Sequence, residues 1–137
     1  ISVDDATFGM PEIKVGLWPM MITAVLQRVM PHKAALELMM TGRRIPAEEA
    51  MRLGIVSRIT NRQELDAAVD LTVNSLAAAS PLVLQMGRDA FYAVQDQGFD
   101  AALEHLHAGL TAVAATEDAA EGVQAFLEKR RPHWRGR

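Results

Sequence analysis

Apolar residues recur at helical spacing through most of this sequence, and only three short stretches favour strand. The strands are predicted at residues 1–3, 7–8 and 55–59. Spacing and capping signals predict seven helices. The first three lie at residues 20–30, 32–41 and 47–53, and the fourth is capped by Asn61. The fifth and sixth lie at 81–95 and 101–115, and the seventh starts at Thr116 and ends before Pro132. So few strands cannot form an independent sheet with seven helices. We therefore expect their sheet to begin upstream of Ile1, in a longer α/β protein.

Two of the later helices carry apolar stripes that we expect to face a core. In the helix capped by Asn61 the stripe consists of Leu65, Ala68, Val69, Thr72, Val73 and Leu76. In the helix at 101–115, which we expect Asp100 to cap, it consists of Leu103, Leu106, Leu110 and Val113. The same stripes would suit a subunit interface.

Charge and cysteine content exclude several functional classes. The net charge of −3 gives no electrostatic case for nucleic-acid binding. No apolar run reaches the roughly 18 residues of a membrane span, so we expect no membrane segment. The absence of Cys excludes disulfides and thiolate catalysis and fits a reducing compartment, so a cytoplasmic location is expected. His105 and His107 would point to different faces of a helix, and we predict no metal site.

One segment near the start combines a single carboxylate with apolar residues. Residues 6–21 hold Glu12 directly after Pro11, with Gly9 and Gly16 on either side, and have neither helical nor strand periodicity. We expect a packed loop that aims Glu12 at a site, where a carboxyl group can both give and take a proton. Alternatively, Glu12 points to solvent and the loop only joins a strand to a helix.

Four segments in order resemble the enoyl-CoA hydratase/isomerase (crotonase) superfamily. They are Phe8-Gly9-Met10-Pro11-Glu12 with Gly16, Thr41-Gly42-Arg43-Arg44-Ile45-Pro46-Ala47-Glu48-Glu49-Ala50, Leu53-Gly54-Ile55-Val56, and Thr116-Glu117-Asp118 through Lys129-Arg130. The resemblance covers nearly the whole chain. It implies an α/β, crotonase-like ββα spiral, here mainly its helical C-terminal part with a few short strands. Residues 1–60 would end the core with the active-site loop, and residues 61–137 would form a helical region for assembly and coenzyme A contact.

The resemblance also implies a function. It indicates an enoyl-CoA hydratase-type lyase that adds water to 2-enoyl-CoA thioesters in fatty-acid metabolism, assembled as a homotrimer or a dimer of trimers. The acyl-CoA thioester is the expected partner, and no cofactor is expected beyond the coenzyme A of the substrate. The first glutamate and the oxyanion N–H groups of the family match nothing in this sequence, so we expect the 137 residues alone to be inactive.

The resemblance assigns roles to individual residues. Glu12 matches the second glutamate of the catalytic pair, and Lys129 matches a cation that reaches the coenzyme A phosphates in some members. The substrate-binding residues would further include Pro11, Gly16, Leu17, Trp18, Met20, Met21 and Leu110. Without the resemblance, Lys129 and Arg130 would be interpreted as cations at a helix C-terminus.

The Met pair departs from the common hydratase pattern. Many hydratases have small residues after the proline of this loop, where this chain has Met20 and Met21. The pair could line an adaptable acyl pocket or form ordinary helix core. Alternatives for the activity are a Δ3,Δ2-enoyl-CoA isomerase, another acyl-CoA crotonase activity, or a non-catalytic helical oligomerisation fragment.

Overall fold

The computed structural model describes all of residues 1–137 and contains two compact units, Ile1–Thr72 and Val73–Arg137. The boundary lies inside one helix. The elements in chain order are β1 (Ser2–Val3), β2 (Thr7–Gly9), a 3₁₀ turn (Pro11–Val15), α1 (Met20–Val29), α2 (His32–Thr41), β3 (Arg44–Pro46), α3 (Ala47–Arg52), β4 (Ile59–Thr60), a second 3₁₀ turn (Arg62–Glu64), α4 (Leu65–Ala77), α5 (Pro81–Ala93), α6 (Phe99–Ala114) and α7 (Glu117–Leu127). The functional division proposed between residues 60 and 61 stays a prediction.

The first unit is built on two pairs of short strands. β1 pairs in parallel with β4, and β2 pairs antiparallel with β3, with Phe8 opposite Ile45. Leu38 of α2 and Ile45 of β3 are fully buried. Around them lie the buried side chains of Met10, Leu26, Met30, Ala35, Met39, Ala50 and Val56. This core therefore joins the segment before Glu12 to α1, α2 and α3.

The predicted strand at 55–59 is wrong over most of its length. Gly54 has φ +87°, and the N–H groups of Ile55 and Val56 both donate to the carbonyl of Ala50, at 2.9 and 3.3 Å. These bonds fold the chain back on α3, so only Ile59–Thr60 remains free to pair as β4.

A second strand was missed because sequence signals favoured a loop. Arg44–Pro46 forms β3, although its proline is a poor strand residue. Its partner β2 supplies the backbone hydrogen bonds of the pair.

The predicted N-cap of α6 is also corrected: the N-cap is Gly98 and the helix begins at Phe99, so Asp100 lies in its first turn.

Three predicted helix starts are confirmed by their hydrogen bonds. The side chain of Asn61 accepts from the N–H of Glu64 at 2.9 Å, although the helical turn that it opens is 3₁₀. Ser80 and Thr116 cap α5 and α7 by accepting from the third residue on, each at 3.1 Å.

The apolar stripes of α4 and α6 are not buried, contrary to expectation. Val73 and Leu76 of α4 are more than half exposed, and so are Leu103 and Leu110 of α6. In the second unit α5, α6 and α7 contact one another, and many of their large apolar side chains remain exposed. No single helix is long and apolar enough to cross a membrane. Residues 62–77 and 81–93 meet that test only as a bent pair, by length and composition.

A buried carboxylate fastens the C-terminal tail to the second unit. Asp118 is 1% exposed and accepts hydrogen bonds from the hydroxyl of Ser80 at 2.5 Å and from the N–H groups of Arg135 and Gly136 at 2.7 and 3.1 Å. The indole N–H of Trp134 donates to the carbonyl of Ala78 at 2.7 Å. The tail is therefore tied to α7 and to the segment between α4 and α5.

These hydrogen bonds favour the charged form of each acceptor. The Ser80 hydroxyl and the N–H of Arg135 hold the pKa of Asp118 below its ordinary value. One turn further along α7, the Arg130 guanidinium and the N–H of His133 lower the pKa of Glu121 to about 2. A folded-state pKa below the unfolded one means that the group stabilises the fold above the unfolded pKa and ceases to do so as the pH falls through the folded pKa.

We predict that Asp118→Asn lowers the melting temperature at pH 7 by several degrees, because an amide cannot accept the same set of bonds as a carboxylate. The difference from wild type should stay constant above about pH 5 and shrink below about pH 4, as the wild-type carboxyl group protonates. Thermal unfolding followed by circular dichroism from pH 7 to pH 2 measures it. Asp70→Asn, on the exposed side of α4, is the control. Equal stability of Asp118→Asn and wild type at pH 7 would contradict the assignment.

Candidate active site

Glu12, which carries the candidate carboxylate, lies in a turn that local backbone hydrogen bonds close. Pro11 begins a 3₁₀ turn that ends at Gly16, whose φ of +76° suits glycine. The N–H of Leu17 donates to the carbonyl of Glu12 at 3.0 Å, and the N–H of Gly16 donates to Ile13 at 3.2 Å. The turn is thus closed on itself directly behind Glu12.

Glu12 contributes to an apolar cavity of about 360 Å³. The other residues of its wall are Leu17, Trp18, Pro19, Met20, Met21 and Ile22. The Oε2 atom of Glu12 is buried and has no hydrogen-bond partner. Buried polar groups are rarely left unpaired, and an exception requires an explanation such as a functional role.

The prediction of a packed loop is correct for the carboxylate and wrong for the apolar residues beside it. Met10 is buried in the core, whereas Val15, Leu17 and Met21 are 75%, 62% and 89% exposed. The loop contains a 3₁₀ turn and presents these side chains outward. The interpretation of the Met pair as ordinary helix core is therefore wrong.

Ion pairs hold together the elements that flank the turn. Arg43, between α2 and β3, donates to Glu37 at 2.8 Å and to Glu49 of α3 at 2.7 Å. These bonds raise the pKa of the Arg43 guanidinium and lower the pKa of both glutamates. Arg43 is therefore a structural cation that joins α2 to α3.

The structure brings together most of the predicted site residues. Glu12, Leu17, Trp18, Met20 and Met21 line one cavity, while Pro11 and Gly16 are the ends of the turn that supports it. Pro19 and Ile22 also line the cavity and were not singled out from the sequence. Their position next to the predicted residues was the only signal that could have indicated them.

Leu110 and Lys129, the remaining predicted residues, lie in the second unit. Leu110 is 66% exposed on α6. Lys129 follows α7 with φ +54°, unusual for a residue other than glycine. Other cations of this region form ion pairs. Arg130 pairs with Glu121 and Glu128. Arg135 and Arg137 both pair with Glu117, and Lys129 takes part in none of these pairs.

No group of three or more His, Asp or Glu side chains is arranged to hold a metal ion. Around Glu12, a carboxylate with one buried, unpartnered oxygen lies in the wall of an apolar cavity. Such a group can move a proton to or from a carbon or an oxygen atom that binds next to it.

Comparison with known proteins gives consistent matches over the whole chain. The family model for enoyl-CoA hydratase/isomerase matches residues 1–137. Carnitinyl-CoA dehydratase from Citrobacter koseri is 36% identical over 143 residues, covering 100% of this chain and 54% of that protein. The protein of the same name from Salmonella typhi is 33% identical over 142 residues, with the same coverage. The chain thus spans about half the length of the curated relatives it matches.

Solved structures agree with the family match. An enoyl-CoA hydratase from Mycobacterium smegmatis superimposes with a TM-score of 0.93 at 32% identity, covering 96% of this chain and 51% of that one. Human enoyl-CoA hydratase domain-containing protein 3 also gives 0.93 at 32% identity, with coverage of 96% and 52%. The chain belongs to the enoyl-CoA hydratase/isomerase family and has the α/β crotonase fold that its sequence motifs predicted.

Proposed function

We propose that the protein containing this chain is an enoyl-CoA hydratase-type lyase that adds water across the double bond of 2-enoyl-CoA thioesters. The observation that supports it is the buried, unpartnered Oε2 of Glu12 in the wall of an apolar cavity. The names of the relatives, hydratases and dehydratases of CoA thioesters, support the same class of reaction. Fatty-acid breakdown is the metabolism in which such thioesters arise.

In this proposal Glu12 transfers protons while water adds to the acyl group. The water oxygen loses one proton and bonds to C3 of the thioester, the electron pair of the double bond moves to form an enolate, and one proton is then delivered to C2. Glu12 acts as acid/base for these protons. A well-placed general acid–base group contributes about 10²–10⁴ to the rate.

The enolate also needs hydrogen-bond donors at the thioester oxygen, and losing one such donor costs about 10²–10³ in rate. We identify no such donors among residues 1–137. The proposal therefore concerns the full-length protein, and the isolated 137-residue chain is proposed to be inactive.

The remaining site residues are proposed to bind the two ends of the substrate. Leu17, Trp18, Met20 and Met21 would contact the acyl chain, because exposed apolar side chains at a cavity gain free energy when an apolar ligand covers them. Lys129 would contact a coenzyme A phosphate, as the family resemblance implies; adjacent Arg130 is paired with Glu121 and Glu128, whereas Lys129 is not.

The cavity favours a neutral acyl chain over the carnitinyl group named in the relatives. Trp18 is the only aromatic residue among the side chains that line it. Cages that recognise quaternary ammonium groups use several aromatic faces. Carnitinyl-CoA is therefore a comparison substrate in the tests below.

Exposed apolar side chains on the helices support an assembled protein. Phe99, Val123 and Phe126 are 77%, 63% and 82% exposed. Apolar surface of this kind marks contact sites. We propose a homotrimer or a dimer of trimers, as the family resemblance implies.

We predict that Glu12→Gln in the full-length protein lowers kcat for hydration of crotonyl-CoA by about 10²–10⁴ and changes KM little, because the amide cannot transfer protons. Loss of the enoyl thioester absorbance measures turnover. Glu104→Gln, exposed on α6, is the control with the same chemical change.

The same assay separates the alternatives. Isomerisation of a 3-enoyl-CoA without hydration, or turnover of carnitinyl-CoA alone, would replace the proposed activity. Wild-type kcat in Glu12→Gln would remove Glu12 from the mechanism.

We predict that Glu12→Met raises the free energy of unfolding by about 1 kcal/mol, because an apolar side chain of similar size removes a buried acceptor that lacks a partner. Urea denaturation measures it. Glu104→Met should show no such gain. A clear loss of stability in Glu12→Met would mean that Glu12 has a structural partner.

We predict that Met21→Ala lowers kcat/KM for a long-chain 2-enoyl-CoA about 10-fold and that for crotonyl-CoA only slightly, because only a long chain would cover this exposed side chain. The two substrates are compared in the absorbance assay. Met40→Ala is the control, since Met40 is 60% exposed and does not line the cavity. An equal effect on both substrates would place Met21 outside the acyl-binding surface.

A further inference from the structure

Gly42 lies directly against the turn that carries Glu12. It ends α2 with φ +60°, and its N–H donates to the carbonyl of Leu38 at 2.9 Å. A Cβ atom added to Gly42 would meet Cγ2 of Ile13 at 2.9 Å and Cε of Lys14 at 3.3 Å. Ile13 and Lys14 are the two residues that follow Glu12, so the turn rests on the bare backbone of this glycine.

A second close backbone contact, made by Gly9, lies on the other side of the turn. Gly9, three residues before Glu12, pairs with Arg44 in the β2–β3 ladder. A Cβ atom on Gly9 would meet the carbonyl oxygen of Arg43 at 2.9 Å. The segments before and after Glu12 are therefore both packed on the single stretch from Gly42 to Arg44.

The position of that stretch is itself fixed. Arg43 bridges Glu37 of α2 and Glu49 of α3 through several hydrogen bonds of 2.7 to 3.2 Å. Ile45, two residues on, is fully buried in the core. The surface on which the turn rests is thus part of the rigid scaffold.

We infer that Gly42 is a positioning residue for the Glu12 carboxylate. Its missing side chain lets Ile13 approach α2 and so sets where the 3₁₀ turn places Glu12 in the cavity. A misplacement of about 1 Å at a catalytic group can cost about 10²-fold in rate. The inference rests on the proposed function only for its kinetic consequence, since the displacement itself is a structural quantity.

The test is Gly42→Ala in the full-length protein. A contact of 2.9 Å must relax towards the 3.4 Å of ordinary van der Waals contact. Because Cγ2 sits on the branched Cβ of Ile13, which is stiff at χ1, we expect the turn to move away from α2. We expect kcat for crotonyl-CoA to fall about 10- to 100-fold with KM changed less than about 2-fold, because Gly42 has no predicted contact with substrate.

Two further variants separate positioning from general damage. Gly136→Ala introduces a side chain at a similar positive φ of +72° but has no atom within 4 Å, so it shares the backbone strain and should keep the wild-type kcat. The double variant Gly42→Ala with Ile13→Ala removes the crowding atom and should recover most of the lost kcat. If Gly42→Ala does not fold, Gly9→Ala makes the corresponding test from the other side.

The outcomes are distinguishable from a failure of the proposed function. A wild-type protein that turns over no enoyl-CoA overturns the proposed function, and a crystal structure of Gly42→Ala then shows whether Glu12 has moved. An unmoved Glu12, an unchanged kcat, or a loss of kcat that Ile13→Ala does not recover would each overturn the inference.

Discussion

The first unit depends on the close approach of two backbone segments, residues 7–9 and 44–46. They pair as antiparallel strands, and Gly9 has no side chain to hold them apart. This pairing places Ile45 in the core and starts the Glu12 turn immediately after a buried residue, Met10. The catalytic candidate is therefore attached to the best-packed part of the unit, although the cavity beside it is open and apolar. Rigid support beside a carboxylate whose Oε2 has no partner would suit acid–base catalysis, because proton transfer depends on the position of the acid.

Different side-chain interactions stabilise the two units. In the first unit large apolar residues such as Leu38 are completely buried. In the second unit the most buried large side chain is charged, Asp118, and hydrogen bonds from Ser80 and the C-terminal tail stabilise its carboxylate. Many large apolar residues of that unit are exposed, where they are available for contacts with other protein surface.

Local signals predicted local structure well. The caps at Ser80 and Thr116 were correctly placed because each depends on a side chain that bonds only three residues away. The helix predicted at residues 32–41 also ends correctly, because Gly42 adopts the positive φ of +60° that favours glycine after a helix. The prediction failed where residues outside the local pattern decided the outcome. β3 forms because β2 lies beside it, and the chain turns back at Ile55 and Val56 because their N–H groups donate to the carbonyl of Ala50. Periodicity also marked the stripes of α4 and α6 correctly as apolar but could not show which surface covers them.

By itself the sequence determined the family, the number of helices and the identity of the candidate carboxylate, because motifs and helix caps depend on residues that lie a few positions apart in the chain. Only the tertiary structure decided that Glu12 Oε2 is buried without a partner, that Met20 and Met21 are exposed, and that Gly42 supports the turn. Burial and close approach depend on which segments meet in space. In this chain the decisive contact, Ile13 against Gly42, joins residues almost thirty positions apart, which no local pattern records.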